Sequence, residues 1–302
     1  MRNCLTIAAT AALMCLAFTA QAAQESEAEQ APRPAPRWPD GRINLGPVPG
    51  EAGTWGGDGA PPMLVEIDSW DMLEEYAQGR AIPINVNRWR PTSELDETDP
   101  DRFPKPKLSE VPFQPWARAL FHERLRNEFE PYTRCKASGG ARQVATAYGT
   151  QIVDSPELGR IYIFQTGGPH SYRVIYMDGR EHPEDPTPTY YGHSIGHWEG
   201  DTLVVDTVGF NERMWIDREG VPFTEELHLV ERFTRVSFDQ LLYEIRIEDP
   251  LAYTEPWESG FYMNWNDGGE SFEFVCQDGN LAGEMMVGTD FTTADRSSPV
   301  VP

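Results

Sequence analysis

Short runs of Val, Ile, Tyr and Phe follow one another from residue 143 onward, and turn residues separate them. This pattern predicts antiparallel β-structure, either a barrel or a sandwich, because helical periods are absent from this part of the chain. The turn signals MDGR, WEGDT and NDGGE indicate hairpins between several of the runs. The predicted strands are 143–153, 159–166, 171–178, 190–199, 202–210, 227–236, 240–248, 259–266 and 271–277.

The N-terminus has the pattern of an export signal. Residues 1–22 contain Arg2, then an apolar run, then the small-x-small ending Ala20-Gln21-Ala22. The apolar run is shorter than the roughly 20 residues that a membrane span needs. We therefore predict a signal peptide rather than an anchor, and a periplasmic or secreted protein.

The segments that follow differ in composition. We predict an extended Pro/Gly-rich arm over 23–62, a helical and loop segment over 63–142, the barrel over 143–285 and a disordered tail over 286–302. Within the second segment one helix is predicted over 67–79 and another from Gln114 to Glu128. The second helix is predicted to bury Trp116, Leu120 and Leu125.

The net charge of the chain restricts the kinds of molecule that it can bind. The formal net charge is −23, and Arg2 is the only charged residue before Ala23, so the exported chain carries −24. Such a charge repels nucleic acid and anionic lipid. We expect a small-molecule ligand or substrate, no nucleic acid and no membrane insertion; the oligomeric state stays open.

Of the four cysteines, two remain after signal cleavage, namely Cys135 and Cys276. Two cysteines in an exported chain most simply form one disulfide. A free or metal-binding thiol is the alternative.

A two-residue hairpin loop at Gly200-Asp201 sets a register for the strands around it. It places on one face His193, Ile195, His197, Val204, Asp206 and Val208, with Ser194, Thr207 and Trp198 on the other. Asp206 is then diagonal to His193 at roughly 7–8 Å. A carboxylate beside an imidazole favours general acid–base chemistry, with a hydrogen bond that merely ties two strands as the alternative.

Glu231 is predicted to lie in apolar company, because its strand face meets the apolar face of the next strand. A carboxylate there needs a partner, most simply an Arg, or has a binding or catalytic role. The catalytic candidates are His193, Asp206 and Glu231. The ligand-binding candidates are His170, Tyr191, Ile195, His197 and Tyr253, of which His170 and Tyr191 would line the same cavity as Glu231.

Several stretches resemble a widespread family of exported bacterial proteins to which no activity is assigned. They are VPFQPWARAL, YYGHSIGHWEGDTLVVDTVGFNERMWID, LHLVERFTR, EDPLAYTEPW and FEFVCQD, over about 111–278, with a weaker match at DGRINLGPVPGEAGTWGG. The resemblance implies an exported β-rich protein and no particular reaction. Cysteines at the positions of Cys135 and Cys276 support the disulfide. Position 197 is His where the family pattern has Arg, so the resemblance implies no essential role for His197.

Two motifs suggest other chemistry. GHSIG fits the nucleophile elbow of serine hydrolases, with Ser194, Asp206 or Asp217, and His228 as the order. The elbow needs a strand that turns into a helix, whereas two strands are predicted here. His193 and His197 would stand roughly 13 Å apart on a strand. We expect no metal and no cofactor, since nucleotide-binding fingerprints are also absent, and we expect His122, His182 and His228 to be surface or structural residues.

These observations favour a mainly β, lipocalin-like antiparallel barrel that binds a partly apolar or aromatic small molecule in its cavity. The alternative is an enzyme of lyase, isomerase or hydrolase type that uses His193 and Asp206 in the same cavity. A third hypothesis is a partner-binding module that uses the Pro-rich arm. Whether the protein is an enzyme stays open at this level.

Overall fold

A computed structural model describes residues 32–56, 64–66, 68–69, 71–72, 105–128, 130–145, 148–165 and 171–276. The elements below belong to one compact unit that begins at Pro34. The strands in the described ranges are β1 (Gly53–Trp55), β2 (Thr150–Ser155), β3 (Arg160–Gln165), β4 (Tyr172–Tyr176), β5 (His193–Glu199), β6 (Thr202–Val208), β7 (His228–Arg235), β8 (Gln240–Glu248) and β9 (Trp257–Asp267). They close into a barrel in which each strand pairs with its neighbours in sequence and β1 also pairs with β9.

The barrel prediction is confirmed, and eight of its strands fall within or beside the predicted ranges. The prediction of purely antiparallel pairing is wrong at one place, since β4 and β5 run parallel. The reason is the connection between them, 177–192, which returns along the barrel before β5 begins. Parallel neighbours need such a crossover, whereas antiparallel neighbours can be joined by a tight turn.

The ninth strand is not the predicted 271–277 but β1, which lies in the segment predicted as an arm. β1 pairs with β9 through Gly53 opposite Asp267 and with β2 through Trp55 opposite Thr150. Because β1 occupies the edge of β9, the described part of 271–277 has no strand partner there. The structure therefore extends the barrel beyond its predicted boundaries of 143–285, while the tail 286–302 lies outside the described residues.

The described part of the arm also covers one end of the barrel. The indole Nε1 of Trp55 donates to the carbonyl of Leu45 at 2.6 Å. Arg235 donates to the carbonyl oxygens of Asn44 and Gly46, each at 2.8 Å, and its guanidinium stacks 4.7 Å from the Trp55 ring. These contacts tie the arm to the end of β7.

Helix α1 (Pro115–Asn127) confirms the second predicted helix. Its buried side is Ala117, Phe121 and Leu125, spaced four residues apart. The predicted stripe is confirmed at Leu125 but wrong at Trp116, which is 45% exposed and donates to the carbonyl of Leu251 at 2.9 Å. It is also wrong at Leu120, which is half-buried. Ala117 and Phe121 are buried in their place, and Phe121 packs on Phe113. Most of the first predicted helix, 67–79, lies outside the described residues. Short 3₁₀ turns occupy Pro131–Arg134, Ala141–Gln143 and Pro156–Leu158.

Side chains alternate between the inside and the outside of the barrel, as the two-residue repeat of a strand requires. In β7 the buried positions are Leu229, Glu231, Phe233 and Arg235. Alternate residues of β3 to β8 fill the interior in the same way, so residues one position apart in sequence belong to different chemical environments. No helix within the described ranges is long and apolar enough to span a membrane.

Candidate functional site

The predicted register of β5 and β6 is confirmed, with His193 opposite Val208 and Ile195 opposite Asp206. His193 and Asp206 therefore share a face, and that face is the outside of the barrel. Ser194 and Thr207, one residue away, are buried on the inside. The prediction that His193, Asp206 and Glu231 share one cavity is therefore wrong, because Glu231 lies on the inner face. The cavity enzyme that uses His193 and Asp206, which was the alternative prediction, requires these side chains to point into the barrel and fails for the same reason.

Five polar side chains form a continuous hydrogen-bonded chain on the outer face. They are His193, His182, Asp206, His228 and Glu248, and we call them the outer histidine chain. His182 Nδ1 lies 2.8 Å from His193 Nδ1, and His182 Nε2 lies 3.0 Å from Asp206 Oδ1. His193 thus reaches Asp206 through His182, which the 177–192 connection brings over the outer face of the sheet.

His228 completes the chain from β7. Its Nε2 lies 2.9 Å from the same oxygen, Asp206 Oδ1, and its Nδ1 lies 3.3 Å from Glu248 Oε2. The hydrogen bond to Asp206 raises the pKa of His228, against the lowering effect of burial. Burial acts to raise the pKa of Asp206, but the bonds from His228 and His182 outweigh it and lower that pKa overall.

His193 has the opposite shift. Burial and the neighbouring His182 lower the pKa of His193, which keeps its imidazole neutral near pH 7. The ring stacks on Tyr176 with centroids 5.1 Å apart and planes inclined by 23°. Arg180 lies 3.9 Å above the Tyr176 ring centroid. These stacked groups fix the orientation of the imidazole.

Glu231 belongs to a separate network inside the barrel. Arg173 donates through Nη1 to Glu231 Oε1 at 3.0 Å and through Nη2 to the other carboxylate oxygen. Its Nε donates to Ser194 Oγ at 2.8 Å, and Tyr243 OH donates to Glu231 at 2.9 Å. The predicted arginine partner of Glu231 is therefore present. Each guanidinium nitrogen of Arg173 and each carboxylate oxygen of Glu231 has a hydrogen-bond partner, which is the arrangement of a structural network.

The nucleophile-elbow hypothesis fails on the same geometry. Ser194 Oγ is buried and accepts from Arg173 and from Thr207 at 3.0 Å. His228 and Asp206 do bond to each other, but they lie on the outside of the sheet. Asp217 is buried in the β6–β7 connection, where its Oδ1 accepts three backbone N–H groups. The three residues of a triad are therefore not brought together.

The predicted ligand-binding residues are scattered. Ile195 shares the outer face, and His197 is exposed beside Glu199 at 3.2 Å. Tyr253 is buried and donates to the carbonyl of Pro222 at 2.6 Å. Tyr191 meets Ser138 and Ser171 at an end of the barrel. His170 lies outside the described residues.

A carboxyl pair lies in the connection between β6 and β7. Asp217 and Glu219 are both buried, and burial raises the pKa of each, with the effect on Glu219 strengthened by Asp217. The charges of both carboxyl groups also act on Lys105. Desolvation lowers the pKa of Lys105 to about 8, and the charges of Glu66, Glu219 and Asp217 oppose this lowering. A raised pKa favours the neutral form of Glu219, and the neutral form removes the repulsion between the two like charges.

Three members of the outer histidine chain, His182, His228 and Glu248, were not predicted to belong to a site with His193. His182 and His228 were expected to be surface or structural residues, apart from the place of His228 in the hydrolase hypothesis. His228 could have been found from sequence, because pairing 227–236 with 202–210 sets it diagonal to Asp206, as the register Asp206 opposite Val230 requires. No sequence pattern indicates the position of His182, since it lies on the irregular connection 177–192. The path of that connection over the outer face of the sheet decides where the side chain lies.

No family model matches the sequence, and the searches of curated proteins and of solved structures returned no similar chain. Over the ranges that the structure describes, no group of three or more His, Cys, Asp or Glu side chains is arranged to hold a metal ion.

Proposed function

We propose that this protein is an exported enzyme that moves a proton on a small polar molecule, with His193 as the base. The observation that carries the proposal is the chain from His193 through His182 to Asp206, at 2.8 and 3.0 Å. A neutral imidazole that is oriented by a second group and ultimately by a carboxylate is the arrangement of an activated base.

The proposal assigns the tautomers. His182 Nε2–H donates to Asp206, and His182 Nδ1 accepts from His193 Nδ1–H. This leaves a lone pair on His193 Nε2, which has no hydrogen-bond partner among the described residues. When His193 takes a proton at Nε2, the positive charge is stabilised through His182 by Asp206. His228, held between Asp206 and Glu248, is a positioning residue.

The substrate class follows from this single base. A molecule with a C–H acidified by a neighbouring carbonyl, or with a hydroxyl group, can give its proton to His193 and receive it back at another atom. Isomerase and lyase reactions fit this pattern better than hydrolysis, because Ser194 is on the other face. The bond to Asp206 favours the charged form of His228, and that charge offsets one of the two carboxylates beside it, which suits a polar substrate.

Ligand binding inside a lipocalin-like barrel is the second hypothesis for the same molecule. Each strand pairs with its neighbours in sequence, as in an up-and-down barrel, and this order of strands supports the lipocalin-like hypothesis. The parallel pairing of β4 and β5 departs from the antiparallel pattern of such a barrel. Large buried side chains and the Arg173–Glu231 ion pair lie in the described interior, so we favour the outer face for the reaction.

Export is part of the proposal. It is supported by the apolar N-terminal pattern ending at Ala22 and by the disulfide between Cys135 and Cys276, whose Cα atoms are 5.6 Å apart. Disulfides persist in oxidising compartments. The strongly acidic chain supports a small-molecule partner over nucleic acid, and the mass of the isolated chain tests the cleavage.

The test is a turnover assay in D₂O with a mixture of small metabolites, read by mass spectrometry as consumption of a compound or gain of deuterium. We expect His193→Gln and Asp206→Asn to slow turnover by about 10²–10⁴-fold, the usual contribution of a positioned base. His182→Gln should also slow it, because it separates the base from its carboxylate.

His197→Gln is the matched control. This histidine lies on the same strand and the same face, but it is exposed and contacts only Glu199 in the described structure. It should turn over like the unmodified protein. Equal turnover by His193→Gln and His197→Gln, or a wild-type protein that leaves every compound unchanged, would contradict the proposal.

A further inference from the structure

A second polar cluster lies at the end of the barrel where β3 ends and β4 and β5 begin, and we call it the glutamine cluster. Its members are Ser138, Gln143, Gln165, Ser171 and Tyr191. Gln165 Oε1 lies 3.4 Å from the hydroxyls of both Ser138 and Ser171. Tyr191 OH contacts both serine hydroxyls, at 3.3 Å in the case of Ser138. None of these residues belongs to the outer histidine chain.

Two amide atoms of this cluster have no hydrogen-bond partner within the part of the chain that the structure describes. They are Nε2 of Gln165, a donor, and Oε1 of Gln143, an acceptor. The two residues are 2% and 0% exposed. A buried polar atom without a partner costs about as much as a lost hydrogen bond, so each such atom calls for an explanation. Bound water or a bound ligand supplies the missing bonds.

The two glutamines lie beside the same residue. Thr150 on β2 is opposite Gln165 on β3, and the Thr150 hydroxyl donates to the backbone carbonyl of Gln143 at 3.2 Å. The Gln143 side chain is fixed by its own donation to the carbonyl of Ile163 at 2.8 Å. The open donor therefore lies on β3, and the open acceptor lies on the 3₁₀ turn Ala141–Gln143, which hydrogen bonds join to Thr150 and Ile163.

We propose that the glutamine cluster is a binding site for the neutral amide group of a small N-acyl compound. The amide carbonyl would accept from Gln165 Nε2, and the amide N–H would donate to Gln143 Oε1. Ser, Gln and Tyr side chains carry no charge near pH 7, and the nearby Arg173 is neutralised by Glu231. A neutral group thus fits the site better than an ion.

N-acyl groups occur on amino sugars and on peptides, and the test separates these sources. The probes are N-acetylglucosamine and N-acetylalanine methylamide, with glucose as the control that lacks an amide. Binding to the mature protein is measured by titration calorimetry and by the shift of side-chain amide NMR signals. We expect one or both amides to bind, glucose not to bind, and the Gln165 side-chain signal to move.

The variant Gln165→Met keeps the length of the side chain and removes its amide. It should weaken binding of the amide by about tenfold or more, as expected for the loss of a buried hydrogen bond. The matched control is Gln151→Met, a half-buried glutamine on the neighbouring strand whose side chain faces outward toward Ser271.

Three outcomes would overturn the proposal. The first is that the wild-type protein binds neither amide, in which case water alone fills the site. The second is that Gln165→Met and Gln151→Met bind the amide equally well. The third is that glucose binds as well as N-acetylglucosamine. If Gln165→Met does not fold, the wild-type NMR shift decides the matter, because a ligand bound elsewhere leaves the Gln165 signal unmoved. The turnover assay on His193 is independent of these results.

Discussion

At the scale of single residues, one carboxylate oxygen organises the outer histidine chain. Asp206 Oδ1 lies within 3.0 Å of the Nε2 atoms of both His182 and His228. His193 and His228 belong to the same chain, yet the pKa of His193 is lowered while that of His228 is raised. Titratable groups whose environments shift their pKa values in opposite directions are a mark of acid–base sites.

The charged form of His228 should stabilise the fold over a defined pH range. The pKa of His228 is raised from 6.5 by its bond to Asp206, so this contribution is complete below 6.5 and is lost as the pH rises through the raised value. Asp206 contributes to the stability of the fold at lower pH, because its pKa is lowered from 3.8. This contribution is complete above pH 3.8 and is lost as the pH falls through the lowered pKa of Asp206.

We therefore expect His228→Gln to lower the free energy of unfolding by about 1 kcal/mol or less near pH 5.5, since the pair is partly exposed. At about pH 8.5 the difference in the free energy of unfolding between the wild-type protein and this variant should be smaller. Urea unfolding at both pH values measures it, with His197→Gln as the control. A difference that grows toward alkaline pH would refute the assignment.

At the scale of elements, the strands are joined by more than their backbone ladders. Arg173 on β4 reaches Ser194 on β5, Thr207 on β6 and Glu231 on β7. Tyr243 on β8 donates to the same carboxylate. This network links five strands, including the parallel β4–β5 pair, which has only two residue pairs in register.

Breaking the network at one partner should be costly. Glu231→Gln removes the negative charge and leaves the Arg173 guanidinium buried without a counterion. We expect a loss of about 3–5 kcal/mol in the free energy of unfolding, the usual effect of breaking a buried pair. Chemical denaturation of the variant measures it.

The control for this prediction is Glu244→Gln on β8, a half-buried carboxylate that is one residue from Tyr243 and on the opposite face. It should change stability far less than Glu231→Gln does. Similar effects of the two substitutions would show that the buried ion pair is not what stabilises this part of the barrel.

At the scale of the whole molecule, the disulfide Cys135–Cys276 joins residues 141 positions apart. It connects the segment after α1 to the segment that follows β9, so it encloses most of the barrel. Constraining so long a loop restricts the unfolded chain, which in the loop-entropy model stabilises the fold by roughly 4–5 kcal/mol.

The isolated, unreduced protein should have the mass of a chain that lacks residues 1–22, and thiol titration after denaturation should find no free cysteine. Reduction of the disulfide should then lower the free energy of unfolding by up to the roughly 4–5 kcal/mol that the loop-entropy model gives. Intact-mass spectrometry and denaturation with and without reductant measure these quantities. A full-length mass or two free thiols would refute export with disulfide formation.

The amount that could be predicted differs between parts of the molecule. The strands from 150 to 248 and the hairpin at Gly200-Asp201 follow from local patterns, because alternation and turn residues act over a few positions. That Glu231 needs an arginine follows from the cost of burying a carboxylate, but the sequence did not indicate that Arg173 on β4 is that arginine. The strand β1 could not be predicted, since three residues in a Pro/Gly-rich segment carry no alternation. β1 becomes a strand of the barrel because it pairs with the edges of β2 and β9, which are distant from it in sequence.

The sequence by itself determined the class of fold and the fact that His193 and Asp206 share a strand face, because strand geometry assigns faces by counting. Only the tertiary structure decided which face is inside, since that depends on how the sheet closes. Closure put Glu231 with Arg173 in the interior and left His193 outside. The 177–192 connection then brought His182 between His193 and Asp206, a contact that no local pattern encodes because it joins a loop to two strands.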